Sequence, residues 1–450
     1  MATILGSGAV FLEGSVTTVA LPAIARDFGL GLAGLQWVMN GYLLTLSSLI
    51  LLGGALGDRY SRRRVFAMGL LGFAAASLCC ALAPNLIALV VARLVQGAAG
   101  ALAVPNSLAL LESTYDGDAR GSAIGQWSAW SAVSTALGPL IGGSLVDATS
   151  WRIVFVCIAP FALCAALVAL FAGADRSPTE RSTTSVDYGG AFAGTLALAA
   201  LMGGLLLGEQ RGYSNATSVG CLVAGALLCA AFAIVERRAA APLLPSRIFH
   251  SRQFVGVNIV TLLVYAALNG LFFLLMVQLQ TGLGYSATAA GSSLLPINAL
   301  MLILSPLSGR LAHRVGPRAP MVAGAGIAAA GMLLFARVEQ GAPYVTTVLP
   351  ATIVFGTGLA LFVAPLTTVA LSALGESATG LASGVNNAVA RLAGLVATAL
   401  VPLAAGLGGA MSLSGSTLAT GFVHAMWICA GLCALGAFVA AAMIDSKSQP

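Results

Sequence analysis

"GALGDRYSRRRVF" (54–66) places five charged residues, Asp58, Arg59, Arg62, Arg63 and Arg64, within thirteen positions. A long apolar stretch runs up to it (34–56) and another leads away from it (65–83). The chain has 450 residues, of which 58% are hydrophobic and only 8% charged, whereas a soluble domain carries roughly 25% charged residues. Mean hydropathy is +0.96. A charged cluster in such a chain reads as a loop between two membrane-spanning helices.

Working outward from this loop, fourteen apolar stretches can be marked. They lie near 3–24, 34–56, 65–83, 86–111, 121–146, 152–173, 189–208, 217–235, 254–277, 287–311, 319–336, 345–370, 380–407 and 419–444. Each has about 18 residues or more, enough to cross a hydrocarbon core of about 30 Å as a helix. Only helices satisfy their own backbone hydrogen bonds at this length, and the alternating segments of a membrane barrel are absent. The expected fold class is an all-α polytopic membrane protein with no room for a separate soluble domain. "AIA" (23–25) mimics a signal-peptide cleavage site. No basic residue precedes the first stretch, however, and Glu13 interrupts its apolar core, so it reads as a retained span. The same missing basic start is the pattern expected where the true start lies upstream of Met1.

The formal net charge of +6 is a matter of topology. With odd-numbered connections placed outside, the even-numbered connections and the C-terminal tail hold 15 of the 21 Lys and Arg residues, Lys447 among them. The odd connections hold 4 (Arg26, Arg152, Arg211 and Arg337), and Arg93 and Arg391 lie inside spans. The positive-inside rule then puts both termini in the cytoplasm. No nucleic-acid partner is implied. Arg outnumbers Lys 20 to 1, the usage of a GC-rich bacterial genome, so the expected location is a bacterial cytoplasmic membrane. All eight cysteines fall within spans, and no Cys or His cluster has metal-ligand spacing. Cys429 and Cys433 share a helix face and read as small packing residues.

The opening stretch has a counterpart. "GRLAHRVGPRAPM" (309–321) repeats its Gly, Leu, small residue and Arg at the same places. Each copy follows the second span of a six-span block. Parallel repeats of this kind describe two-halved secondary transporters. The expected organisation is an N-terminal six-helix half (1–173), a linker with an inserted two-helix hairpin (174–253) and a C-terminal six-helix half (254–450), the halves related by pseudo-two-fold symmetry. In the loop, Gly54 and Gly57 allow close approach of helix ends. Asp58 can accept from helix N-terminal amides or pair with a basic neighbour, a latch for one packing of the helices. Arg62, Arg63 and Arg64 read equally well as orientation signals.

On these residues the loop resembles the signature between spans 2 and 3 of the major facilitator superfamily. "ARLVQGAAGA" (92–101) resembles its span-4 motif with a basic residue, and "ALGPLIGG" (136–143) the Gly-Pro motif of its antiporters. "WRIVF" (151–155), "VALPAIARDFG" (19–29) and fourteen spans narrow the resemblance to the fourteen-span drug:proton antiporter family. Ser61 stands where the loop motif usually has Gly. His313 stands in the second copy where the first has Asp58, which weakens any second latch. The resemblance implies proton-coupled efflux of small amphipathic compounds by alternating access, driven by the proton gradient without a cofactor, from a monomer. The alternatives are a dedicated exporter of one antibiotic or metabolite, an importer, or a transporter-like sensor. An enzyme is not expected, because no nucleophile–base pair, phosphate loop or metal set appears.

Among the 15 acids, only Glu13 lies deep in a span, about ten residues or roughly 15 Å from its start. An ionisable residue there is costly and marks function by default. Burial disfavours a carboxylate's charged form and a nearby cation favours it, so a group held between the two can exchange a proton. The family places its span-4 basic residue, here Arg93, close to span 1. Glu13 is therefore expected to alternate between a protonated state and a state paired with Arg93 or with cationic substrate; a static ion pair is the plainer alternative. The family usually has Asp at this position. Arg391 is a second deep cation, able to pair across the halves, bind carbonyls or attract a substrate anion. Gly138, Pro139, Gly142 and Gly143 give a bend with tight packing, which in the family accompanies export. For the substrate, Trp37 and Asn40 share a face of span 2, Gln126 and Trp130 one of span 5, and Tyr265, Asn269, Phe272 and Met276 one of span 9. A cavity of aromatics, Met and amides suits amphipathic molecules. Ordinary helix packing explains each of these residues equally well.

Overall fold

A computed structural model describes residues 1–115, 117–171, 188–238, 246–339, 341–375, 379–408 and 416–446. Of the linker expected over 174–253, residues 174–187 and 239–245 lie outside the described residues, as does Lys447. Every long element is a helix: α1 (Ala2–Phe28), α2 (Leu32–Arg59), α3 (Arg62–Ala81), α4 (Leu86–Thr114), α5 (Gly117–Ala148), α6 (Trp151–Phe171), α7 (Tyr188–Arg211), α8 (Ala216–Arg238), α9 (Arg252–Val277), α10 (Ala287–Ser292), α11 (Leu295–Val315), α12 (Arg318–Phe335), α13 (Leu349–Ser372), α14 (Thr379–Pro402) and α15 (Ser416–Met443). Twelve helical stretches of the described residues are long and apolar enough to cross a membrane. Two shorter apolar stretches, Val133–Ala148 in α5 and Phe192–Gly208 in α7, accompany them.

The chain forms two compact units, Met1–Leu30 with Gly34–Pro245, and Ser246–Pro450 with Gly31–Ala33. In the first, α3 packs on α4 and α6, and α1 on α5, α6 and α4, while α7 pairs with α8. In the second, α12 packs on α13 and α15, and α9 on α14, α15 and α13. Matching α1 to α9, α3 to α12, α4 to α13, α5 to α14 and α6 to α15 gives the same set of neighbours, so the sequence repeat has a counterpart in packing.

Small residues make these contacts close. A Cβ on Gly53 of α2 would lie 2.0 Å from the Ala101 carbonyl of α4, and one on Gly57 would lie 1.7 Å from Asn106 Oδ1. Asn106 Nδ2 donates to the carbonyls of Gly53 and Leu102, both at 2.8 Å. In a lipid setting, where lipid tails are as apolar as leucine, such packing and hydrogen bonding hold helices together.

The two repeat loops turn differently. Ser61 is extended (φ −168°) and caps α3, its hydroxyl accepting from Arg64 N–H at 3.2 Å. The matching residue of the second copy, Gly316, has φ 85° and ends α11. The departure of Ser61 from the family's Gly thus coincides with a side-chain cap in place of a left-handed backbone. One expected span is interrupted: 287–311 divides into α10 and α11 at Ser293 and Leu294. Pro296 stands in the first turn of α11, where it lacks a donor for the preceding turn.

Candidate functional site

Glu13 sits midway along α1, which α4, α5 and α6 surround. Its side chain and that of Arg93 on α4 are wholly buried and form an ion pair, Arg93 Nη1 donating to Glu13 Oε1. Thr17, one turn further along α1, donates its hydroxyl to the same oxygen at 2.7 Å. Arg93 has four further partners. Its Nε donates to the Val38 carbonyl of α2 at 3.1 Å, and its Nη1 also donates to Gln96 Oε1 at 2.7 Å. Its guanidinium lies over the Tyr42 ring, 4.4 Å from the centroid, with the Phe155 ring of α6 at 5.9 Å. Gln96 in turn donates from Nε2 to Ser77 Oγ of α3 at 2.8 Å. Five helices therefore converge on one charge pair.

The pair is only half satisfied. Glu13 Oε2 and Arg93 Nη2 are buried and make no hydrogen bond among the described residues. Such orphaned polar atoms are costly in a protein interior. The arrangement leaves one carboxylate oxygen open to a proton or a water while the other holds the cation.

The loop residues are also arrayed. Asp58 pairs with Arg62, whose Nη2 donates to Asp58 Oδ1 at 2.7 Å. Arg62 Nη1 donates to the Ala109 carbonyl of α4 at 3.1 Å, so the loop spans from the end of α2 to α4. Gly54 faces Pro105 of α4. Arg59 is exposed and lies near the Tyr60 ring, and Arg63 is half-buried. Gly138, Pro139, Gly142 and Gly143 are buried. A Cβ on Gly138 would lie 1.9 Å from Ser15 Oγ, and one on Gly142 2.4 Å from Val16 Cγ1. The Gly-Pro stretch thus fits against α1 within three residues of Glu13.

The candidate cavity residues are more scattered. In the first unit, Trp37 is half-buried, and Gln126 and Trp130 are exposed. Asn40 is buried, and neither atom of its amide is hydrogen-bonded among the described residues. The neighbouring Trp127, rather than Trp130, reaches α1: its Nε1 donates to Ser7 Oγ at 2.9 Å, and its ring meets Phe11 edge-on. In the second unit, Asn269 donates to the Tyr265 carbonyl within α9 at 2.8 Å, and Gly394 of α14 packs on its amide. Phe272 stacks edge-on against Phe355 of α13, and Met276 is fully buried. Arg391 is half-buried within electrostatic reach of Tyr265.

A further cluster was not anticipated. At the end of α1, Asp27 Oδ2 accepts from Trp151 Nε1 at 2.9 Å and from Arg152 Nη1 at 2.5 Å. Arg152 stacks over the Trp151 ring at 4.3 Å, and Trp151 meets both Phe28 and Phe155 edge-on. Phe155 is the ring that also flanks Arg93. "WRIVF" and "ARDFG" therefore meet in space, which their separation of more than a hundred residues conceals in the sequence.

Comparison with known proteins follows from this architecture. The profile of the Major Facilitator Superfamily matches residues 3–398. The tetracenomycin C resistance and export protein of Streptomyces glaucescens is 34% identical over 402 residues, covering 89% of this chain and 74% of that protein. The puromycin resistance protein of Streptomyces alboniger is 34% identical over 456 residues, covering 98% of this chain and 90% of that protein. The multidrug resistance protein Stp of Mycobacterium tuberculosis is 33% identical over 389 residues, covering 86% of this chain and 72% of that protein. Among solved structures, a bacterial homologue of the human lysosomal transporter Spinster has a TM-score of 0.69 at 16% identity, over 100% of this chain and 98% of that one.

Proposed function

The chain belongs to the Major Facilitator Superfamily, and on that premise we propose that it is a proton-coupled exporter of small amphipathic organic compounds, working by alternating access. It is a multi-pass membrane transporter and not an enzyme. Efflux is supported by relatives named for resistance to, or export of, antibiotics and drugs. The observation that carries proton coupling is the buried Glu13–Arg93 pair with one carboxylate oxygen unengaged. In this reading Glu13 takes up a proton from outside, releases Arg93 from the ion pair and returns the proton to the cytoplasm, while substrate moves outward. The energy comes from the proton gradient, with no cofactor.

The remaining assignments belong to the same reading. Gly54, Gly57, Asp58, Arg59, Arg62 and Arg63 form a latch that favours one packing of α2 and α4. The Gly138–Gly143 stretch keeps α5 tight against α1 and limits leakage. Trp37, Asn40, Gln126, Trp130, Tyr265, Asn269, Phe272, Met276 and Arg391 contribute to substrate binding. α5 and α7 complete fourteen spans, α7 and α8 forming a hairpin between two six-span halves. The protein is a monomer in a bacterial cytoplasmic membrane with both termini inside.

Inside-out vesicles with an imposed proton gradient test the core of this. Challenge with transported compounds should evoke proton release in the wild-type protein and none in Glu13→Gln. Unchanged coupling in that variant would remove Glu13 as the carrier.

A second reading, a dedicated exporter of one antibiotic, is favoured by the two relatives named for single compounds. A compound panel in the same vesicles separates the two: a single active chemotype supports dedication, and several unrelated ones support multidrug export.

A further inference from the structure

Arg93 faces a problem each time Glu13 is neutralised. A wholly buried guanidinium that loses its carboxylate becomes an uncompensated charge, and such a charge is strongly destabilising. Something must hold it in place until the carboxylate ionises again. Resting on the proton-coupling reading above, we infer that Gln96 is the positioning residue that holds Arg93 while Glu13 is protonated, and that Ser77 anchors its amide.

Arg93 Nη1 is shared between Glu13 Oε1 and Gln96 Oε1, so the second acceptor is already engaged when the first loses its charge. An amide could equally present its NH2 group, which would repel the cation. Arg93, which can only donate, draws the oxygen toward itself, and the bond from Gln96 Nε2 to Ser77 Oγ anchors the opposite NH2 group. Cys80 reinforces this orientation, its thiol donating to Gln96 Oε1 at 3.8 Å. The Val38 carbonyl and the Tyr42 ring complete the holder. All are neutral groups, which steady a cation without competing for the proton. The titratable or charged groups that face the pair are Tyr42 of α2 and Cys80 of α3, while Arg152 of α6 is engaged with Asp27. None of these supplies a second carboxylate.

The sign follows from which state depends more on Gln96. In the ionised state Arg93 has Glu13; in the protonated state it has Gln96. Removing the amide oxygen therefore penalises the protonated state more, and Glu13 should stay ionised to lower pH. Placing a carboxylate at position 96 gives Arg93 a permanent partner and sets a like charge near Glu13, which should then protonate more readily.

The test is the pH profile of substrate-evoked proton release from inside-out vesicles, for wild type, Gln96→Leu, Gln96→Glu and Ser77→Ala. Gln96→Leu should move the midpoint toward acid by about one pH unit, the scale of one charge-assisted hydrogen bond. Gln96→Glu should move it toward alkaline pH. Ser77→Ala, which removes the anchor of the amide, should give a smaller acid shift and carries the test if Gln96→Leu does not accumulate in the membrane. A purely structural role would lower the rate of all three without opposed shifts. Midpoints that stay at the wild-type value, or that move in one common direction, would overturn the assignment of Gln96 and leave the coupling reading intact. Absence of proton release from the wild-type protein itself would remove both.

Discussion

Arg93 and Arg152 stand on opposite kinds of ground, and the contrast predicts different costs for losing them. Arg93 and Glu13 are both fully buried. Arg152 and Asp27 are 37% and 42% exposed. Arg93→Leu leaves a bare carboxylate in the interior and should cost about 3–5 kcal/mol. Arg152→Leu breaks a solvated pair, a hydrogen bond to the Ala83 carbonyl and contacts with the Phe28 and Trp151 rings, and should cost about 1–2 kcal/mol. Thermal unfolding in detergent reads both; equal losses would sink the distinction. Tyr42 makes a finer case. Tyr42→Phe keeps the ring under the guanidinium, so Tyr42→Leu should lose about 1–2 kcal/mol more than Tyr42→Phe by the same measurement. The charged members of this site were legible in the sequence because ionisable residues are so scarce inside the spans. Thr17, Gln96 and Tyr42 were not, since hydroxyl, amide and aromatic side chains recur along many spans. Gln96 does stand in the quoted stretch 92–101, three residues from Arg93 and hence on its helix face. That spacing was the available signal.

At the scale of helices, the contacts depend on missing side chains. Gly142→Ala would put a methyl group 2.4 Å from Val16 Cγ1 and 3.1 Å from its Cα. Overpacking of this kind costs about 1–3 kcal/mol, so α5 should shift from α1 and both melting temperature and transport should fall. Gly14→Ala on α1 meets nothing within 4 Å and should leave both unchanged, a control on helix propensity alone. Loss of function in both variants would point away from the α1–α5 contact. Ser61 gives a second comparison. As the cap of α3 it should tolerate Gly with a loss of a few tenths of a kcal/mol, whereas Ala should cost about 1 kcal/mol. Helix positions were legible because apolar runs of this length admit little else. Helix ends were less so: α1 continues to Phe28 and α11 to Val315, each past the apolar stretch that announced it. Polar residues extend a helix once its backbone ladder has begun, and hydropathy does not register them. The break between α10 and α11 was missed for the opposite reason, as its residues are apolar or small.

The number of crossings is a property of the whole chain and has a direct test. With fourteen spans and cytoplasmic termini, the turn between α7 and α8 (212–215) faces outward. If α5 crosses but the α7–α8 hairpin does not, the count is twelve and the turn faces the cytoplasm. A cysteine placed at Ser214 in a protein stripped of its own eight cysteines should react with an impermeant maleimide added to intact cells. Reaction only after lysis would reduce the count to twelve. The repeated loop has a counterpart in the repeated packing of helices, but the meeting of Asp27 with Trp151 and Arg152 was not legible, because no local pattern links residues that far apart. The buried charge pair has one more consequence, for how the chain is made. Glu13 and Arg93 are 80 residues apart, and translation at about 5–20 residues per second delivers the second roughly 4–16 s after the first. During that interval α1 is a nascent segment whose carboxylate has no cation to meet, at an insertion penalty of about 3 kcal/mol for a charge at mid-bilayer. The first helix of this protein therefore cannot settle in the bilayer in its final ionic state until the fourth emerges from the ribosome.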